Sequence, residues 1–399
     1  MQFNAGRKIV IVNGARTPMA EYNGALREMS AIDLGAVAAR TAIERSSVEP
    51  GEIDHVVMGN ALQTSGDAIY GARHVGLKAG VAKETPALTL NRLCGSGIQS
   101  VMTAAEMLLL GEARLVLAGG MESMSQAPHV LRGLRTGLRL GEGKLEDSLM
   151  TALLDTYCGL LMAQTAEKLA RVHSISREDQ DLFALRSQKL AGEAAARGWF
   201  KEEMVPVELK SRKGSTFYDT DDHARPDTTI EGLAQLKPSF GKDGFVTPGN
   251  ASGIVDGAAA VVVTTEATAR ERMLKPLGRI VSWAVCGVEP DIMGIGPVPA
   301  IRAALDAAGL GMDDISYLEI NEAFAAQYLA VEKVLGLDRA KVNVNGGAIA
   351  LGHPLAASGT RLLLTLLMQL KRTGARYGVA SACIGGGQGI AMVVENATA

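Results

Sequence analysis

The chain has 399 residues, of which 47% are hydrophobic and 21% charged, and its formal net charge is −3. That length supports two or three domains around sizeable cores. The near-neutral charge balance argues against nucleic acid or a membrane surface as partner, and no apolar run is expected to reach the roughly 18–20 residues of a membrane span.

Aromatic residues make up only 4%, so the core has to rest on aliphatic side chains and the 16 Met, while 46 Gly imply many tight turns and close backbone contacts. Residues 1–8 lack the apolar stretch of a secretory signal. Cys94, Cys158, Cys286 and Cys383 are too few and too scattered for a disulfide scaffold, and no two share a metal-ligand spacing. A reducing cytoplasm fits this usage, and no metal is expected.

In chain order, residues 8–14 read as a strand and 33–44 as a helix with Asp33 as candidate N-cap. Residues 55–59, 86–90 and 115–120 read as further strands. Residues 98–110 have the Ala, Met and Leu content of a packed helix. Strands alternating with helices predict an α/β fold with a largely parallel sheet.

The pattern then recurs. Arg40, Ala42 and Glu44 answer to Arg302, Ala304 and Asp306, Ser96-Gly97 to Ser358-Gly359, and Arg114 to Arg376, always 262 positions on. Two homologous halves are implied, longer than any solenoid repeat. The stretch between them has no counterpart. It holds helical patterns at 163–172 and 177–197, the second capped by Ser174 or Ser176, and an irregular polar region at 210–249. It is too long for a connector and is expected to be an inserted subdomain. The expected division is 1–121 plus 250–272, an insertion at 122–249, and 273–399. Residues 257–264 are a buried helix or strand returning to the first half.

Cys94 lies in Asn91-Arg92-Leu93-Cys94-Gly95-Ser96-Gly97, between a strand and a helix N-terminus, where unpaired N–H groups and the helix dipole favour a thiolate. The second half supplies Asn321-Glu322-Ala323-Phe324 at a strand end, Gly352-His353-Pro354 before a helix, and Cys383-Ile384-Gly385-Gly386-Gly387 after a strand. Sites in α/β sheets are built at strand carboxyl ends, and the repeat brings these four stretches into one frame. A Cys with a distant His is the minimum set for nucleophilic acyl transfer, a second Cys can move a proton on carbon, and glycine N–H groups can hold an oxyanion. Read singly, each residue has a structural alternative as core filler or helix cap. No dinucleotide or phosphate-loop fingerprint is present. Asp219, Asp221, Asp222 and His223, with Arg225 beside them, read as a solvated charge cluster rather than a metal site.

Taken together, the four blocks closely resemble the signature blocks of the thiolase family, acetyl-CoA C-acetyltransferase and 3-ketoacyl-CoA thiolase, and the likeness runs from Arg16-Thr17-Pro18 to the C-terminal glycine loop. The resemblance implies an α/β fold of two homologous βαβαβ-type halves packed as five α/β/α/β/α layers, with the insertion as a loop domain over a coenzyme A tunnel. It implies an acyltransferase of fatty acid metabolism with coenzyme A as substrate or product and no permanently bound cofactor. Cys94 would be the acyl-accepting nucleophile, His353 its activator, and Cys383 the acid or base at the α-carbon. Asn321 would hold a water completing one oxyanion site, and the N–H groups of Cys94 and Gly385 would form the other.

Ser252, Met293, Phe240 and Phe324 match positions lining the pantetheine and acyl region, and Arg225 a position near the adenine. Residues 123–145 match the segment that joins dimers into homotetramers. One departure stands out: Leu161, before Met162, replaces a His of many short-chain members, so a strict acetoacetyl-CoA preference is not implied. Two rivals remain. A decarboxylating condensing enzyme generally lacks the second Cys, and a non-catalytic acyl-CoA binding protein would be expected to have lost a site residue.

Overall fold

The computed structural model describes residues 7–212 and 214–397. The first half runs β1 (Ile9–Arg16), α1 (Ala31–Arg45), β2 (His55–Gly59), β3 (Ala87–Leu90), α2 (Ser96–Leu110) and β4 (Leu115–Glu122). The insertion adds α3 (Met162–Val172) and α4 (Arg177–Ala196), after which β5 (Val255–Thr265) rejoins the sheet. The second half runs β6 (Gly278–Gly287), α5 (Pro297–Ala308), β7 (Ile315–Ile320), α6 (Ala325–Leu335), α7 (Leu355–Thr373), β8 (Tyr377–Ile384) and β9 (Gln388–Asn396). The offset of 262 carries β4 onto β8 at both ends, Leu115 to Tyr377 and Glu122 to Ile384.

These strands form one path in the order β7-β8-β9-β6-β1-β5-β4-β2-β3. The halves join where Ile9–Ile11 of β1 pairs antiparallel with Gly278–Ile280 of β6. The sheet is mixed rather than largely parallel. Only β7–β8, β2–β3 and β2–β4 are parallel among the described pairs. The connection from β8 to β9 is a tight turn, which can only pair its strands antiparallel, and β5 enters antiparallel to both β1 and β4.

Helix α1 covers the outer face of β1, β5 and β4, and α5 covers β6 and β9. Between the two sheet regions lie α2 and α7, packed on each other and sharing one apolar core with strands of both halves. Their crossing is set by two repeat-equivalent glycines. A Cβ on Gly97 would sit 2.5 Å from the Thr360 amide nitrogen, and one on Gly359 2.5 Å from that of Ile98. Backbone therefore meets backbone at the centre of the molecule.

Several local expectations are corrected. Ser30, not Asp33, caps α1: its hydroxyl accepts from the Asp33 N–H, so Asp33 sits one turn inside. By composition the Leu93–Leu110 segment is apolar and long enough to cross a membrane, contrary to the reading of the sequence. It ends in the central helix α2, whose apolar side chains fill the shared core. Residues 257–264 resolve as strand, and Ser176 caps α4. The polar stretches of the insertion hold short hairpins, His129–Leu131 with Leu145–Asp147 and Val207–Ser211 with Gly214–Tyr218.

Asp221 is not solvated. It is buried and takes two 2.8 Å hydrogen bonds from the Arg16 guanidinium, whose Nε donates at 2.6 Å to buried Glu203. This network ties the insertion to the end of β1, and removing one member leaves uncompensated charge in the interior. Arg16→Met is expected to cost about 3–5 kcal/mol, read as a lowered urea midpoint with unchanged slope. A loss under about 1 kcal/mol would refute that account.

Candidate active site

Cys94 sits in a one-turn helix, Leu93–Gly95, feeding directly into α2. Its entry is built locally. The Asn91 side-chain oxygen accepts from the Leu93 N–H at 2.8 Å, Leu93 adopts φ +48°, and the Ser96 hydroxyl accepts from the Arg92 N–H at 2.8 Å. This turn packs on the C-terminal glycine loop. A Cβ on Gly95 would lie 2.6 Å from Ile384, Arg92 donates to Gln388 Oε1 at 3.0 Å, and the Gly385 N–H points at the Cys94 sulfur.

Burial pushes the Cys94 thiol up to about 11, although the N–H groups of Gly385 and of Cys94 itself favour the thiolate and the Glu122 charge opposes it. The expectation of a thiolate favoured by the helix end is therefore corrected for the protein without substrate: desolvation outweighs the backbone donors. Cys383, fully buried at the end of β8, is likewise pushed up by burial and by the proximity of Cys94.

His353 precedes α7. Its N–H donates to the Gly253 carbonyl at 2.9 Å, Nδ1 lies 2.5 Å from Ser358 Oγ, and Nε2 lies 3.3 Å from Asn321 Nδ2. Burial, aided by the Arg361 charge, holds the imidazole down to about 3, so it is neutral. With the Asn321 amide nitrogen facing Nε2, Nδ1 carries the proton and donates to Ser358, and Nε2 is the basic nitrogen, its lone pair accepting from Asn321 in the protein without substrate. Asn321 follows β7, its N–H bonded to the Ser381 carbonyl at 2.9 Å, and its Oδ1 is buried without a hydrogen-bond partner among the described residues. Leu355, two residues beyond His353, belongs to the small cluster against which Cys94 packs.

Met293, Ala323 and Cys383 form a buried cluster with Met162 and Phe324 against it, and the Ser252 N–H donates to the Ala323 carbonyl at 3.0 Å. The structure thus brings Met162, Met293, Phe324 and Ser252 to the Cys383 side. Leu161 is half-buried just before α3. Arg225 lines a cavity of about 440 Å³ with Gln188, His223, Leu233, Leu236 and Gly249, and its guanidinium donates to Glu21. Phe240 is exposed outside both groups.

Ser358 was not singled out from the sequence. The repeat carries the signal: Ser96, its equivalent, also uses its hydroxyl to fix the loop before its helix. Glu122 and Glu322, each buried and accepting hydrogen bonds from distant segments, carried no such signal.

Residues 9–267 match the family model described as thiolase, N-terminal domain, and residues 274–396 that of thiolase, C-terminal domain. The chain is 53% identical over 391 residues to human mitochondrial 3-ketoacyl-CoA thiolase, covering 98% of both chains. It is 48% identical to the acetyl-CoA acetyltransferase of Rhizobium meliloti, covering 97% of this chain and 98% of that one. A crystal structure of the human mitochondrial 3-ketoacyl-CoA thiolase in complex with CoA superposes with a TM-score of 0.96 at 52% identity, covering 98% of each chain. By whole-chain sequence, by fold and by both domain models, this chain belongs to the thiolase family.

Proposed function

We propose that this protein transfers an acyl group between a cysteine and coenzyme A, cleaving 3-ketoacyl-CoAs by thiolysis and, in reverse, condensing two acyl-CoAs. Two acetyl-CoA joined to acetoacetyl-CoA is the shortest case. What supports this reading is that the Gly385 N–H and buried Cys383 lie beside the Cys94 turn, while Asn321, bonded to Ser381 two residues before Cys383, pairs with His353.

His353 Nε2 takes the Cys94 proton as the sulfur attacks the 3-keto carbon. The alkoxide is held by the N–H groups of Cys94 and Gly385, or by His353 and a water on Asn321 Oδ1. Collapse breaks the Cα–Cβ bond, and Cys383 protonates the departing enolate to give acetyl-CoA. The thiol of a second coenzyme A gives its proton to the Cys383 sulfur and takes the acyl group from Cys94, whose leaving thiolate recovers its proton from the His353 imidazolium as the shortened acyl-CoA is released. Burial that keeps both thiols neutral suits a Cys383 that must arrive protonated.

The Arg225 cavity is assigned to the adenine end of coenzyme A, and the Met162, Met293, Phe324 and Ser252 cluster, with Leu161 at its edge, to the pantetheine and acyl chain. Phe240, although exposed, is assigned to the same pantetheine and acyl region. Residues 1–121 with 250–272, 122–249, and 273–399 are proposed as first half, cover and second half. Exposed Leu134, Leu138 and Leu140 support residues 123–145 as the contact in a homotetramer. The four cysteines are free, which fits a reducing compartment: the cytoplasm, or the organelle named for the human relative.

Spectrophotometric thiolysis of 3-ketoacyl-CoAs from C4 to C16 tests the reading. Turnover is expected at C4 and at longer chains, because Leu161 offers the acyl group apolar volume in place of an imidazole. Zero turnover across the series would leave an acyl-CoA binding protein.

A further inference from the structure

Glu122 closes β4 and is completely buried. Among the described residues it has no cationic partner within ion-pair distance, which is unusual for a carboxylate removed from water. Four N–H donors surround it instead. Oε1 accepts from Asn60 Nδ2 at 2.8 Å and the Leu62 N–H at 3.0 Å, and Oε2 from the Ala61 and Ala356 N–H groups, both at 3.1 Å.

These donors come from two places that matter to the site. Ala61 and Leu62 pack on the same Met124, Leu149 and Leu355 cluster as Cys94, and the Ala61 carbonyl accepts from Asn91 Nδ2 at 3.1 Å, the same side chain that fixes the Leu93 turn. Ala356 lies in the first turn of α7, three residues after His353. One carboxylate therefore has two arms of contact, the loop beside the nucleophile turn, held through both oxygens, and the first turn of the helix that follows the imidazole, held through Oε2.

We propose that Glu122 is a positioning residue that sets the Cys94 turn of the first half in register with the His353 helix of the second. It does so by offering acceptors alone to donors from both. An amide of the same length cannot do this, because its NH₂ faces two N–H groups. A shorter carboxylate keeps the charge but cannot reach both arms. The role rests on the assignment of Cys94 and His353 as nucleophile and base.

The groups that face Glu122 are Cys94 and Asp256, and its own carboxyl is pushed by burial up to about 7. Its charge holds the Cys94 thiol up, so position and charge can be separated by two variants. In E122Q, kcat for thiolysis is expected to fall about 10–100-fold, with KM for coenzyme A within about threefold. The pH profile of Cys94 alkylation by iodoacetamide moves to lower pH because the neighbouring charge is gone. In E122D the same fall in kcat is expected with the alkylation profile unmoved. Wild-type kcat in folded E122Q and E122D overturns the proposal, and so does loss of activity that merely tracks loss of folded protein by circular dichroism. C94S serves as the control: if it stays active, the nucleophile assignment has failed, whereas inactive C94S beside active Glu122 variants means that only the clamp has failed.

Discussion

Cys94→Ser is expected to lower kcat/KM for thiolysis by about 10⁴-fold or more, with the fold intact. A serine hydroxyl is far less acidic than a thiol, so the same imidazole leaves it hardly ionised, and no second nucleophile replaces it, since Cys383 serves as the acid and base at the α-carbon in the proposed sequence. The same geometry fixes the pH dependence of the sulfur. With the thiol raised to about 11 by burial, the thiolate fraction at neutral pH is small and grows with every step toward alkaline pH. Alkylation of Cys94 without substrate should therefore climb from pH 7 to pH 10 without levelling off. The imidazole, held down to about 3, stays neutral from pH 5 upward, so no histidine limb near the ordinary imidazole range should appear in kcat/KM. A plateau in alkylation below pH 7 would show that the backbone donors, not burial, dominate at this sulfur.

Cys383→Ala should separate the two halves of the reaction. Breaking the carbon–carbon bond leaves an enolate that must be protonated, so 3-ketoacyl-CoA thiolysis is expected to fall about 10²–10⁴-fold. Moving an acyl group between the Cys94 sulfur and a coenzyme A thiol involves no α-proton. In exchange of labelled coenzyme A into acetyl-CoA no enolate has taken the Cys383 proton, so His353 alone can carry the proton from one thiol to the other, and exchange should persist within about tenfold of wild type. Equal loss of both activities would mean that Cys383 supports the pocket rather than handling the carbon proton.

Much of the site was legible because its chemistry sits in short contiguous blocks at strand ends. Cys94, Asn321, His353 and Cys383 each carry a local signal, and the constant offset of 262 aligns them. Strand pairing was not legible in the same way. Apolar runs such as residues 257–264 mark a buried segment without saying which neighbour it takes or in which direction. Only the three-dimensional path places β5 antiparallel between β1 and β4. Residues that act through distant partners were equally silent. Asp221 looked solvated beside its acidic neighbours, yet its partner Arg16 lies 205 positions away. Glu122 reaches Ala356 across 234 positions, and nothing near either residue announces the bond. Ser30 was overlooked as a cap because Asp33, also a good capping residue, stood at the first apolar-periodic position.

The bare contact of Gly97 with Thr360 and of Gly359 with Ile98 limits how the gene can be rearranged. Duplicated proteins often tolerate exchange of one half for that of a relative, but here neither copy owns the junction outright. A hybrid spliced from two parents should assemble only if it inherits both glycines together, and a single alanine at either place would undo the match, however well each parental half folds in its own setting.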